Sequence, residues 1–295
     1  MKKYLKLAGL FTLGLIFFVA CKKDTPAPTA SFTSVVVGNV VTLTAEATDY
    51  TKYEWDFGDG SYISTIHTPV HTYSSYGRDF TVTLTIKGPG GEVTVASKVT
   101  IPPKTKLQLL TGGTSTSSRK WRLSATAPAF TIAAANAGLS QVASYPGGIL
   151  ANIGMSKVYT DEFVFKADGT LTINSKGGGI FASYYYCALN GKATSVVYAP
   201  IGLAYTAAFT TPAGATFAIN DNKNYTISTP AGDVTYPGVT TLSFTKGGFL
   251  GLMDFTSECI ITSLTDASMS AVLFYSAVAT GKPTYALQVT FEVAP

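Results

Sequence analysis

Short runs that alternate apolar and polar positions, each closed by glycine, asparagine, aspartate or proline, recur along most of this chain. Alternation sends successive side chains to opposite faces of an extended backbone, so these runs predict half-buried strands. Residues 35–37 and 40–45 flank Gly38-Asn39, a hairpin signal. Tyr53, Trp55 and Phe57 share one strand face ahead of the turn residues Gly58-Asp59-Gly60. Residues 80–86 alternate again, Pro89-Gly90-Gly91 turns the chain, and 93–101 return as a strand. Ile101-Pro102-Pro103-Lys104 then ends the first folded unit, because consecutive prolines stop a strand and stiffen the join.

Beyond that boundary, residues 106–110 predict a single helical turn, and 119–123 a strand with Trp121 buried. The alanine-rich stretch 130–143 reads as a short helix or an ordered loop. Strands are predicted at 162–165, 170–173, 204–209, 216–219, 225–228, 240–244, 258–264, 268–274 and 285–293. Short strands separated by Gly, Asp and Asn turns predict a two-sheet sandwich of jelly-roll kind. The fold class is therefore all-β. Composition agrees: 46% hydrophobic and 13% charged residues exclude a disordered chain and predict a large core. The length of 295 residues suits two β-domains.

Residues 1–20 differ from the rest. Lys2, Lys3 and Lys6 precede an apolar run from 7 to 20, the form of a secretory signal too short for a permanent span. The run ends in Phe18-Val19-Ala20-Cys21, which resembles a bacterial lipobox, with Phe18 where leucine is usual. That resemblance implies cleavage before Cys21 and acylation of its thiol. Several acyl chains anchor stably at about 0.8 kcal/mol per buried methylene. Residues 21–29, rich in proline and charge, read as a tether. Removing the three signal lysines from the 21 basic residues leaves 18 against 17 acidic ones, so no footprint for nucleic acid remains.

Trp55-Asp56-Phe57-Gly58-Asp59-Gly60, then Thr68-Pro69-Val70-His71-Thr72-Tyr73, resemble the polycystic-kidney-disease (PKD) repeat, with Thr68 where asparagine is usual. The resemblance covers 30–102. It implies an immunoglobulin-like sandwich serving as spacer or adhesion platform. Within 106–295, three segments look like the C-terminal sandwich of surface lipoproteins that accompany Bacteroidota polysaccharide-uptake systems. They are 110–121, 159–170 and 258–265. This resemblance, together with the Cys-Lys-Lys-Asp start at Cys21, implies an outer-membrane lipoprotein that holds polysaccharide or oligosaccharide at the cell surface beside an uptake complex. Related domains often carry paired tryptophans before the Asp-Glu-Phe strand, where this chain has Tyr145 and Pro146.

The candidate chemistry is sparse. Tyr184-Tyr185-Tyr186 is the densest aromatic cluster, and on a strand Tyr184 and Tyr186 share a face. With Tyr145 and Tyr159 they form either a glycan platform or ordinary core and edge packing. Glu54, Asp56 and Asp59 resemble a glycosidase strand motif, but turn residues interrupt it. His67 and His71, the only histidines, flank Pro69 in β-type sequence, which argues against a shared helical metal face and for a hydrogen-bonding His71. Asp161 and Glu162 point to opposite strand faces and make no acid/base pair. Cys187 and Cys259 remain once Cys21 is acylated, as a disulfide or as two separate buried thiols. Neither catalytic residues nor cofactor nor metal is expected. The expected function is non-catalytic glycan capture, with a structural or adhesive lipoprotein as the alternative and a cryptic hydrolase third.

Overall fold

The computed structural model describes residues 25–114, 116–126, 130–192, 194–198 and 204–295. The expected signal segment, Cys21 and the start of the expected tether lie outside the described residues. The chain divides into two compact units at Pro103/Lys104.

In the first unit, β1 (Thr29–Val37), β2 (Val40–Thr48) and β4 (Val70–Thr72) form one sheet. β3 (Lys52–Asp56), β5 (Arg78–Gly88) and β6 (Gly91–Ile101) form the other. The predicted period of two is visible in the burial: Tyr53, Trp55 and Phe57 point inward, as do Phe80, Val82, Leu84 and Ile86. Two buried side chains of this core satisfy their polar atoms on backbone carbonyls. Trp55 Nε1 donates to Ile66 O at 2.9 Å and the Tyr73 hydroxyl to Phe57 O at 2.8 Å. Gly58 sits at φ +74°, and a Cβ there would lie 2.3 Å from Thr81 O, so this turn tolerates glycine alone.

The second unit begins with α1 (Lys106–Thr111), capped by Thr105 with the reciprocal Gln108 contact of a capping box and ended by Gly112 in the left-handed region. Then follow β7 (Ser118–Leu123), β8 (Phe130–Ala134), β9 (Gln141–Tyr145), α2 (Ile149–Asn152), a 3-10 helix (Ser156–Thr160), β10 (Glu162–Lys166), β11 (Leu171–Asn174) and β12 (Ile180–Ala182). After these come α3 (Tyr184–Leu189), β13 (Thr194–Tyr198), β14 (Ala204–Ala207), β15 (Phe217–Thr229), β16 (Gly232–Phe244), β17 (Glu258–Leu264), β18 (Ser268–Tyr275) and β19 (Tyr285–Val293).

The large antiparallel sheet runs β11-β10-β7-β19-β18-β17-β16-β15, with the β8–β9 hairpin joined to β19; β12-β14-β13 form a smaller sheet. The inner face of the large sheet carries the main core, including Trp121, Phe165, Leu242 and Phe291. Ile180 and Phe181 of the small sheet and Phe249, Leu250, Leu252 and Met253 of the loop before β17 complete it. Trp121 is buried as expected, its Nε1 donating to Leu110 O at 2.9 Å.

The outer face has a core of its own. Register shifts between Asn220 and Tyr225 bend the long β15–β16 hairpin, and Tyr225, Ile227 and Tyr236 pack with Ile260, Val272, Phe274 and Ala133. Apolar cover on both faces explains why β18 reads as a nearly continuous apolar run.

The all-β expectation holds, and the strands at 258–264 and 285–293 fall where predicted. Three details differ. Residues 130–143 form the β8–β9 hairpin rather than a helix or loop, because Phe130 and Ile132 point inward while Ala133 lets the strand lie close beneath the hairpin flap. The separate strands expected at 216–219 and 225–228 are one bent strand, β15. Residues 184–186 belong to a helix, not a strand.

Candidate functional site

The four tyrosines singled out in the sequence do not assemble into one platform. At 3.6 residues per turn, Tyr184 and Tyr186 on α3 point about 200° apart. Tyr184 is 41% exposed and packs on Tyr185 and Tyr205, with ring centroids at 5.0 and 5.3 Å. Tyr186 turns the other way, edge-on to Phe255 at 5.2 Å. Tyr159 is buried and its hydroxyl accepts the Leu150 N–H at 3.2 Å. Tyr145, on β9, packs against the main core. Tyr159 and Tyr145 therefore pack within the fold, Tyr184 joins Tyr185 and Tyr205, and Tyr186 joins Phe255. The one local signal for this helix is its end at Asn190-Gly191, where Asn190 Nδ2 donates back to Tyr186 O at 2.9 Å; the Ser183 hydroxyl at its start goes to Asp254 and makes no cap.

Phe255 had no part in the expected site, yet it marks a groove of the second unit. It is 37% exposed, and its ring lies on Gly281, where a Cβ would come within 3.4 Å of it. The groove, about 380 Å³, runs from Phe255 along β15, with Thr226, Ser228, Ser257 and Lys282 among its walls. Glu258 at its base is held by Lys223 Nζ at 2.6 Å and the Thr241 hydroxyl at 2.5 Å. The Tyr225 hydroxyl donates to Glu258 O at 3.3 Å, which fixes the hairpin as the opposite wall.

Beneath this rim lies Asp254, the sole acid between Thr245 and Ser257. Its Oδ2 accepts the hydroxyl of Ser183, its Oδ1 accepts the Phe255 N–H at 2.6 Å, and the Ser276 N–H reaches both oxygens at 3.3 Å. One carboxyl thus joins the start of α3, the Phe255 segment and the loop 276–284. Burial pushes it up to about 6, against the pull of those donors. A lone acid inside an otherwise apolar, glycine-rich loop was the available sequence signal.

Other polar candidates have structural partners. Asp161 is buried behind β10; its Oδ1 accepts the Lys176 N–H at 3.0 Å, its Oδ2 is without a partner, and burial raises it to about 7. Glu162 faces Lys120 and Lys176 at 3.8 and 3.4 Å. In the first unit, Glu54 pairs with Lys52 and Lys87, Asp56 caps the Gly58 N–H, and Asp59 meets His71 Nε2 at 2.8 Å. His71 also stacks on Phe57, so it hydrogen-bonds within the fold as expected. A depression of about 500 Å³ bordered by Tyr50, Tyr53 and His67 also lies on this unit, but these rings pack on one another. Among the described residues no cluster of His, Cys, Asp and Glu has the makings of a metal site. Cys187 and Cys259 are free, buried thiols, which corrects the disulfide alternative: one sits on α3 and the other on β17, and burial raises both.

Residues 23–102 match the PKD domain family model. The first unit is a PKD domain, and a larger β-sandwich follows it. Among solved structures, the PKD1 domain of Vibrio anguillarum Epp is 29% identical, with TM-score 0.24, and the alignment covers 27% of this chain and 100% of that one. The PKD1 domain of the Vibrio cholerae metalloprotease PrtV is 28% identical, with TM-score 0.25 and coverage of 26% and 99%. A structure of carbohydrate-binding modules of promiscuous specificity from the β-sandwich superfamily is 17% identical, with TM-score 0.26 and 92% of each chain covered. No curated protein matches the chain.

Proposed function

We propose that this chain is a non-catalytic lipoprotein of the outer cell surface that captures glycan in the groove beside Phe255, with the PKD domain as spacer. The presentation of the Phe255 ring carries this reading. A sugar lays its C–H face on such a ring while hydroxyls and an ammonium bind its polar edge, and Thr226, Ser228, Ser257 and Lys282 stand beside it. Non-catalysis is supported by the state of the nearest carboxyls. Asp254 is buried under three donors and Glu258 is engaged by Lys223 and Thr241, so neither is offered as acid or base to a glycosidic bond. The basic, apolar start ending at Cys21 supports export and an acyl anchor.

Native electrophoresis through polysaccharide-impregnated gels tests capture: Phe255→Ala is expected to weaken retardation of the intact protein, and undiminished retardation refutes the site. Release of reducing sugar by the purified protein refutes non-catalysis. Mass spectrometry of membrane-extracted protein tests the anchor through the acyl mass on Cys21.

A second reading, adhesion to protein or matrix, is favoured by one feature of the PKD domain. Val35, Thr42 and Val70 are cross-strand neighbours on an outer face, with Val35 and Val70 exposed.

A further inference from the structure

The outer face of the large sheet holds a second groove, about 380 Å³, on the side of the outer core away from Phe255. Its position follows from register. Gln288 of β19 lies between Thr131 of β8 and Val272 of β18, and in the next row Ser270 is paired with Thr290. These side chains share the face of Ala286 and Phe274, opposite the main core. The row next to the hairpin is therefore dry and apolar, and the two rows beyond it are lined with hydroxyls and one amide.

Three features show a built surface rather than a wet sheet face. Gln288 is half-buried, and its amide makes no hydrogen bond among the described residues, so one acceptor and two donors face the groove. The hydroxyls are pre-arranged: Ser270 and Thr290 stand 3.4 Å apart, Thr131 and Ser144 likewise, and Thr262 directs its proton to Ser270 O at 3.2 Å, leaving lone pairs outward. Leu139, the apolar wall, is held at φ +44°, a region that a leucine seldom occupies. Asn136 enforces that turn, its carbonyl accepting the Leu139 N–H at 3.0 Å and its Oδ1 the Ser140 N–H at 3.1 Å. Tyr236 of the hairpin donates its hydroxyl to Asn136 O at 3.0 Å and locks the turn to the outer core. Backbone strain and a cross-element tie are thus directed at placing one apolar side chain beside a free amide.

We propose that this groove is a second binding site, for an uncharged, hydroxyl-rich ligand: a neutral glycan chain lying across β17, β18 and β19. None of the lining residues is ionisable, so charge takes no part in recognition. The C–H face of a sugar meets Leu139 and Val272, and its hydroxyls meet Gln288, Ser270 and Thr290. The inference rests on the reading that the chain captures glycan and adds a site to it. It also separates the two sites by chemistry, because the Phe255 groove has Lys282 in its wall and this one is insensitive to salt.

The test uses the full mature protein in native gels containing laminarin, xyloglucan or dextran, all uncharged, with Gln288→Ala, Leu139→Gly and Phe255→Ala compared with the native chain. Retention of at least one polysaccharide should weaken about tenfold in Gln288→Ala, the effect of hydrogen bonds lost from an open amide. It should be unchanged by added sodium chloride. Leu139→Gly should weaken retention too; glycine relieves the backbone strain but gives up leucine's packing on the outer core, so its thermal midpoint is measured alongside, and retention lost well below that midpoint is not unfolding. Undiminished retention in both groove variants, with complete loss in Phe255→Ala, overturns the second site and leaves the first standing. Loss in the groove variants with none in Phe255→Ala supports the groove and removes the Phe255 reading. No retention of any neutral polysaccharide by the native protein overturns the groove, and retention of acidic alginate would then keep the Phe255 reading alone.

Discussion

The hydroxyl of Ser183 donates to Asp254 Oδ2 across 71 positions of sequence, and through that bond the start of α3 is fixed to the segment that presents Phe255. The same carboxyl holds Ser276, so the groove rim is a junction of three segments around one buried acid. Asp254→Ala leaves a hydroxyl and two backbone N–H groups without acceptors and is expected to cost about 2–4 kcal/mol. Thermal melts of the second unit measure the loss, and Asp254→Asn, which keeps one acceptor oxygen, should recover part of it. Native stability in the alanine variant would show that the rim is held by packing alone.

Between the ordinary carboxylate value and neutral pH, stability should fall with rising pH in the second unit and stay level in the first. Asp161 and Asp254 are raised from an ordinary 3.8 to about 7 and about 6. Between 3.8 and those values the native chain keeps protons that the unfolded chain has lost. The second unit therefore weakens as pH rises through this window and levels off above it. In the first unit, Asp79 is lowered by Lys98 and Thr100, and Asp59 is lowered because Ser61 and His71 outweigh its burial. These contributions are present above 3.8 and are lost as pH falls through the lowered values. Melts followed from pH 3 to 8, with a probe for each unit, should show the two midpoints moving apart; parallel movement would refute this assignment.

Asp161→Asn isolates one of those terms. An amide keeps an acceptor for the Lys176 N–H and removes the charge that burial opposes. The variant should gain on the order of 2–4 kcal/mol at pH 8, no more than its parent at pH 4, and lose most of the slope between them. Urea titrations at the two pH values provide the measurement.

Gly58→Ala should unfold or severely weaken the PKD domain, by about 2 kcal/mol or more, because the new methyl meets Thr81 O and the backbone is left-handed there. Gly60→Ala meets no atom within 4 Å and should cost only its backbone conformation, about 1–2 kcal/mol. Comparison of the two melts separates steric from conformational cost.

Both thiols are buried, so neither Cys187 nor Cys259 should react with a thiol reagent until the second unit unfolds, when both should appear. Reductant should leave the melting temperature unchanged. No reaction of either thiol on unfolding without reductant, or a midpoint lowered by reductant, would mean that the two are paired.

How far the sequence reveals this molecule depends on how local each signal is. The strand around Trp55 was legible because burial on one face imprints a period of two. Residues 130–143 were not, because alanine fits helix, loop or strand and the hairpin is decided by β19, more than 140 positions away. The tyrosine cluster was located but given the wrong period: three aromatic residues say strand by propensity, while tertiary contacts at Ser183 and Cys187 impose helix. Phe255 and Gln288 are single residues whose roles come from neighbours distant in sequence, Gly281 in one case and Leu139 in the other. No spacing rule finds such pairs.

The pairing of β7 with β19 has a kinetic consequence. Leu123 faces Phe291, so the first large-sheet strand of the second unit finds its permanent neighbour in the last. While the chain is still emerging from the ribosome, that place in the sheet stays empty and an edge of Trp121 and Leu123 is bare. The PKD domain has all its strands by Ile101 and can fold early, whereas its companion must wait for its final strand and then close in one late, cooperative step.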